Sequence, residues 1–179
     1  MTENLPENRI AELSPSAIED LDRVVGTAIG VAREQLESVG AFLPFGIALQ
    51  KPADPAASAS EDDDAAPAGE LRLLAVQPTE AEDDEADIDA DEMLADLVAL
   101  IRQQEEAFLA VALVSDVTLL NEDRDAIHVN AEHREGGAAG VVSAYTPPAD
   151  DSAAEESAAG SWTFDAPQTE TGVRLVWVD

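Results

Sequence analysis

The sequence predicts an α+β fold, in which two helices pack on one face of a single antiparallel sheet of five to seven strands. Two long segments place apolar residues at the spacing of a helix, and several shorter segments are continuously apolar or alternate apolar and polar residues. The links between neighbouring predicted strands have the length of hairpin loops, which join antiparallel strands. Helices beside such a sheet bury its apolar face.

The first predicted helix occupies residues 14–40. Ser14 can cap its N-terminus, Pro15 suits its first turn, and Gly40 is a natural stop. Between these ends, apolar residues recur every three or four positions: Ile18, Leu21, Val24, Val25, Ala28, Ile29, Ala32, Leu36 and Val39. We expect the face that they form to cover the sheet.

Two strands follow this helix, at residues 43–50 and 70–77. They can pair as a hairpin if the acidic stretch 51–69 is an expanded loop between them. A second helix is predicted at residues 89–108, because apolar residues again recur at helical spacing. Acidic residues fill its first turn, where the helix dipole favours them.

The second half of the chain is predicted to be mostly strand. A long apolar strand occupies residues 109–120, and an alternating strand follows at 126–134. Further strands are predicted at 141–145, 162–164 and 173–178. The resulting order of elements is similar to that of profilin-like and roadblock-type domains. No diagnostic motif of either accompanies it, and a roadblock-type domain would end in a helix where a strand is predicted here.

The charge of the chain is strongly acidic and unevenly distributed. With 39 acidic and 9 basic residues among 179, the formal net charge is −30. Three acidic stretches, 51–69, 78–92 and 149–160, hold few large apolar residues to offset the entropy of ordering them. We interpret them as loops that interrupt a single domain at 14–179, preceded by a flexible N-terminus at 1–13.

Composition limits the classes of function. Lys and Arg hold the phosphates of nucleic acids, so a net charge of −30 argues against a nucleic-acid partner. A chain without Cys has no thiolate nucleophile, no Cys-ligated zinc and no iron–sulfur cluster. No stretch approaches the roughly 18 apolar residues of a membrane span, and no secretory signal pattern is present. We therefore expect a cytoplasmic protein without a membrane partner.

One predicted strand carries a candidate polar site. His128, Asn130 and Glu132 stand at alternate positions, so their side chains should share one face of the strand, and His133 should lie on the other. Such a trio could serve acid–base chemistry or hold a metal. Antiparallel sheets also commonly present a solvated polar face. We favour the solvated face, and we predict no catalytic, cofactor-binding or metal site.

Trp177 is the candidate anchor of an interaction surface. With Val173 and Leu175 it would share one face of the last predicted strand, where it could support self-association or pack into the core. We predict a non-catalytic protein-binding or regulatory module whose partner is unknown and could be basic, with a homodimer left open. The alternatives are an acidic inhibitor or immunity-type protein that binds a basic partner, and an enzyme using His128 with Glu132.

The acidity has two explanations. One Lys beside eight Arg, with abundant acids and Ala, is typical of proteins from salt-rich cytoplasms, but a GC-rich genome also favours Ala and Arg over Lys. A halophilic surface would be destabilised in dilute buffer by repulsion between its carboxylates.

If the acidity is halophilic, raising KCl from about 0.1 M to about 2 M should raise the melting temperature, because salt screens this repulsion. Thermal unfolding followed by circular dichroism measures the change. Chloride is a fairer salt than sulfate, which stabilises most proteins by exclusion from their surface. An unchanged melting temperature would favour genome composition as the cause.

Overall fold

The computed structural model describes residues 10–51, 69–77, 89–148 and 162–178. Within these ranges, two helices and seven strands form an α+β fold. The sheet is antiparallel and strongly curled into a half-barrel, with the first helix packed against it. The prediction of an α+β fold with two helices and an antiparallel sheet of five to seven strands is thereby confirmed.

The interpretation of the acidic stretches as loops falls mostly on residues outside the described part of the chain. Residues 52–68, 78–88 and 149–161 lie outside it, as do residues 1–9 of the predicted flexible N-terminus. At that end, Ile10–Glu12 form a short 3₁₀ turn. The side chain of Leu13 is buried in the core, so ordered structure begins before the predicted boundary at residue 14.

Helix α1 (Pro15–Val39) has the ends that the sequence predicts. The backbone N–H of Ala17 donates to the Ser14 side chain at 3.2 Å, which caps the first turn. At the other end, Gly40 adopts a φ of 85°, a left-handed conformation that favours glycine. Most of the predicted apolar face is buried, but Val39 is 73% exposed.

The predicted hairpin is present, and the second helix is shorter than expected. Strands β1 (Phe45–Gln50) and β2 (Leu71–Leu74) pair antiparallel. Helix α2 (Ala90–Gln103) is capped by the Asp89 side chain and is followed by a 3₁₀ turn at Glu105–Ala107. The predicted helix extended to residue 108, but Phe108 is buried and extended and already begins the next strand. Helix α2 therefore ends earlier, at Gln103.

Five further strands complete the sheet. The three long ones are β3 (Phe108–Leu119), β4 (Arg124–His133) and β5 (Ala138–Thr146), and the two short ones are β6 (Thr163–Phe164) and β7 (Gln168–Thr171). The strand order is β2-β1-β3-β4-β5-β6, and β7 also pairs with β5. Strand β2 therefore stands at one edge of the sheet.

The two helices cover opposite faces of the sheet, which corrects the prediction that both pack on one face. Helix α1 packs on a first face that includes Ile47, Ala112 and Val129. Helix α2 packs on a second face, made by the neighbouring residues of the same strands: Ala48, Val111 and Leu113. Consecutive strand residues point to opposite sides. Because β3 is apolar at every position from Ala110 to Val114, both of its faces require cover.

The last predicted strand is also corrected. Residues 173–178 form no strand, and the short β7 lies just before them. Residues 172–178, called here the C-terminal segment, lie on the second face of the sheet. Four of their backbone N–H groups, those of Val173, Leu175, Val176 and Trp177, bond to side chains of β4 instead of to a neighbouring strand. No helix in the described ranges is long and apolar enough to cross a membrane.

A polar contact lies on the first face, near the ends of β3 and β5. The Tyr145 hydroxyl donates to both carboxylate oxygens of Asp116, at 2.9 and 3.0 Å. Partial burial raises the pKa of Asp116, the bond from Tyr145 opposes this rise, and the nearby charge of Asp125 adds to it. The fold therefore disfavours the ionised form of Asp116.

The free energy of unfolding of the Asp116→Asn variant should rise relative to that of the unchanged protein as the pH rises. A carboxyl group whose pKa is raised by folding contributes stability at low pH, and this contribution is lost as the pH rises through the folded-state pKa. The Asn side chain keeps an acceptor for Tyr145 and does not ionise. Urea unfolding of both proteins between about pH 4 and pH 8 measures the difference. A difference that shrinks as the pH rises would contradict the assigned direction of the pKa shift.

Candidate functional site

The three polar residues of β4 lie on the second face, beneath the C-terminal segment. Their partners in the β3 register are Ser115 for His128, Leu113 for Asn130 and Val111 for Glu132. Asn130 is 8% exposed and Glu132 is 1% exposed, whereas the His128 side chain is 31% exposed. The expected solvated face is therefore wrong for two of the three residues.

The carboxylate of Glu132 binds three consecutive backbone N–H groups. Leu175 and Val176 donate to Oε2 at 2.9 and 2.8 Å, and Trp177 donates to Oε1 at 2.9 Å. The guanidinium of Arg174 supplies a positive charge, with Nε 3.6 Å from Oε1. A buried charge is costly unless it is paired and hydrogen-bonded, and here both conditions are met.

Asn130 and His128 bind residues that precede Leu175 in the chain. Asn130 donates from Nδ2 to the carbonyl of Val173 and accepts the Val173 N–H on Oδ1, both at 2.8 Å. The Asn130 side-chain amide thus makes the pair of hydrogen bonds with Val173 that the backbone of a neighbouring strand would otherwise make. His128 Nε2 lies 3.1 Å from Oε1 of Glu170 in β7. The side chains at alternate positions of β4 therefore bind, in turn, Glu170, Val173 and residues 175–177.

Trp177 and His133 lie on different faces of the sheet. Trp177 was the predicted interaction anchor, and His133 was predicted to lie opposite the polar trio. Trp177 is partly buried against the second-face core beside Val176, with its backbone N–H bound to Glu132. His133 lies on the first face, as predicted, with Nε2 3.3 Å from Asp20 of α1. Nowhere in the described ranges do three or more His, Asp or Glu side chains gather as they would to hold a metal.

A pocket of about 360 Å³ opens on the second face, between α2 and the C-terminal segment. Its walls are apolar and are contributed by both of these elements, and its floor is formed by β3 and β4. Ser115 and His128, which are paired directly across the two strands, form a polar end of this floor, and Asn130, whose amide is bound to the backbone of Val173, is the third polar lining residue. The alternation of β4 indicated that these side chains share a face, but no local signal indicated that a later segment would form a wall over them.

A second cavity, called here the edge groove, lies on the first face beside β2. It has a volume of about 430 Å³ and is lined by the C-terminal part of α1, the link before β1, and β2 with the residues after it. Three of its lining side chains are large, apolar and well exposed: Val39 at 73%, Leu73 at 59% and Leu43 at 45%. No pattern in the sequence indicated a site at these residues.

Substituting Glu132 should destabilise the fold and release the C-terminal segment. Glu132→Ala leaves three N–H groups and Arg174 without their buried acceptor, and should lower the free energy of unfolding by roughly 3 kcal/mol. The milder Glu132→Gln should mainly speed the amide exchange of residues 175–177, because it removes the charge and half of the acceptor capacity. Denaturant unfolding and hydrogen exchange measure the two effects.

Glu170→Ala is the matched control for this prediction, because it removes an exposed carboxylate that contacts the same strand. Its cost should stay within about 1 kcal/mol, as is usual for an exposed ion pair. Equal costs for Glu132→Ala and Glu170→Ala, or unchanged exchange in Glu132→Gln, would show that Glu132 does not hold the segment.

Comparison with known proteins adds no relative. No protein-family model, no curated protein and no solved structure matches this chain. The similarity between the predicted order of elements and that of profilin-like and roadblock-type domains is thus not accompanied by a match.

Proposed function

We propose that this chain is a non-catalytic protein-binding module that docks an extended, basic segment of a partner protein along the edge groove. The observation that carries the proposal is the exposure of Val39, Leu43 and Leu73 around one apolar cavity. Contiguous apolar surface of this kind is typical of interaction sites, whereas scattered apolar residues are not. The expected cytoplasmic location is part of the same proposal.

The backbone of β2 suits the docking of an extended segment. In the described part of the chain, β2 pairs with β1 alone, so its other edge offers N–H and C=O groups. A partner strand could pair with this edge and place alternate side chains in the groove, beside Leu73. Backbone bonds would then give affinity, and the groove would select apolar side chains.

Charge favours a basic partner. The net charge is −30, and the exposed Glu34 and Glu37 flank Gln35, a groove residue, on α1. Lys and Arg on the partner would speed its encounter with this surface. A second copy of the chain would bring another charge of −30 to the same surface, so we propose a different protein as the partner. An acidic inhibitor of a basic protein is one form that this module could take.

The geometry of the polar trio argues against an enzyme that uses His128 with Glu132. The amide of Asn130 and the carboxylate of Glu132 are both occupied by the backbone of the C-terminal segment. The Glu132 carboxylate is therefore not available to His128 as the acid–base partner that this enzyme alternative requires, and the carboxylate beside His128 is that of Glu170.

The test compares Leu73→Asn with Leu120→Asn as baits in native extract at low and high salt. Leu73 lines the groove, whereas Leu120 is 91% exposed in the turn after β3 and lies outside it. A captured basic protein is then purified and titrated against each ¹⁵N-labelled variant. Leu73→Asn should weaken its binding by at least about tenfold, and Leu120→Asn should leave it unchanged.

Chemical shifts should change in β2 and in the last turns of α1, and both substitutions should alter stability by no more than about 0.5 kcal/mol, because both side chains are exposed. The proposal is overturned if no basic protein is captured, if both variants bind it equally, or if the shifts map to another surface.

A further inference from the structure

We propose that the pocket between α2 and the C-terminal segment is a second, separate site, which binds a small uncharged molecule with an apolar body and one hydroxyl group. The pocket and the edge groove lie on opposite faces of the sheet. This inference therefore does not depend on the proposed protein-binding function.

The size and walls of the pocket suit a small apolar body. Its volume of about 360 Å³ lies at the lower end of the range found for ligand pockets. Leu94 and Val98 of α2 form one wall, Leu175 forms part of the opposite wall, and Leu113 lies on the floor. Burying an apolar body against these side chains supplies most of the binding free energy.

The polar end of the pocket suits one hydroxyl group. The Ser115 hydroxyl and the Nδ1 atom of His128 have no hydrogen-bond partner among the described residues, and the two residues are directly paired across the strands. When His128 donates from Nε2 to Glu170, Nδ1 carries a lone pair that can accept a hydrogen bond. A ligand hydroxyl could donate to Nδ1 and accept from Ser115.

The charge of the pocket selects against ions. No Asp, Glu, Lys or Arg side chain lines it, so a bound cation would have no counter-charge in contact. An anion would be repelled by the nearby carboxylate of Glu170, which contacts His128 but does not line the pocket, and by the net charge of −30. An uncharged ligand avoids both penalties.

The test titrates the full chain with three probes that share one apolar body: 4-propylphenol, 4-propylanisole and 4-propylbenzoate. Spectra of the ¹⁵N-labelled chain give dissociation constants and locate the binding. We expect saturable binding of 4-propylphenol, with shifts at residues 94–98, 113–115 and 173–175. The anisole lacks the donated hydrogen and should bind about fivefold more weakly, and the anionic benzoate should bind more weakly than the phenol.

Two matched substitutions on α2 separate this pocket from non-specific binding. Ala95 lines the pocket and Ala99 does not, and both are exposed. Ala95→Leu should fill part of the cavity and weaken 4-propylphenol binding at least about fivefold, because the larger side chain overpacks the site that the probe occupies, whereas Ala99→Leu should leave it unchanged. Ser115→Ala should reduce the preference for the phenol over the anisole.

Three results would each overturn the proposal. The first is the absence of saturable 4-propylphenol binding at the pocket. The second is equal binding by the Ala95→Leu and Ala99→Leu variants, which would place the probe elsewhere. The third is tighter binding of another probe than of the phenol. If the anisole binds more tightly, the site does not require a hydroxyl group, and if the benzoate does, the site does not select an uncharged ligand.

Discussion

The pairing of β3 with β4 is the constraint on which the rest of the structure depends. The two strands match residue for residue from Ala110 opposite His133 to Leu119 opposite Arg124. Within this ribbon, the first half of β3 is buried on both faces, and an apolar surface left open to water on either face would be unfavourable. Helix α1 meets the requirement on one face. On the other face, the shorter α2 covers only part of the apolar surface. The C-terminal segment covers a further part of it.

The buried carboxylate of Glu132 determines how that segment lies. Three consecutive N–H groups converge on two oxygens, and Arg174 balances the charge. Moving the segment along β4 by one residue would break this match and leave a charge buried without its partners, which costs several kcal/mol. An apolar residue at position 132 could bury the same area but could not select one position of the segment. We infer that the charge provides specificity of placement.

Features that depend on short-range chemistry were predictable from the sequence. Ser14 and Gly40 bound α1 because capping and left-handed turns involve residues a few positions apart. The shared face of His128, Asn130 and Glu132 followed from strand alternation.

Features that depend on distant contacts were not predictable. The partners of Glu132 lie 43 to 45 residues further along the chain, in a stretch whose own alternation is typical of a strand. An amphipathic pattern shows that α2 buries one side, but it does not show which face of the sheet receives it. The exposure of Leu73 depends on the position of β2 at the sheet edge, which is a property of the strand order.

The two tryptophans of the chain lie against different cores. Trp162 packs against the first-face core, with its ring centroid 5.7 Å from that of Tyr145, whereas Trp177 packs against the second-face core. Each layer therefore carries its own intrinsic fluorophore. Replacing either tryptophan with Phe yields a protein whose emission reports the melting of a single layer. Coincident curves would mean that the sheet transmits unfolding from one side to the other in one cooperative step, and separated curves would mean that the layers melt independently.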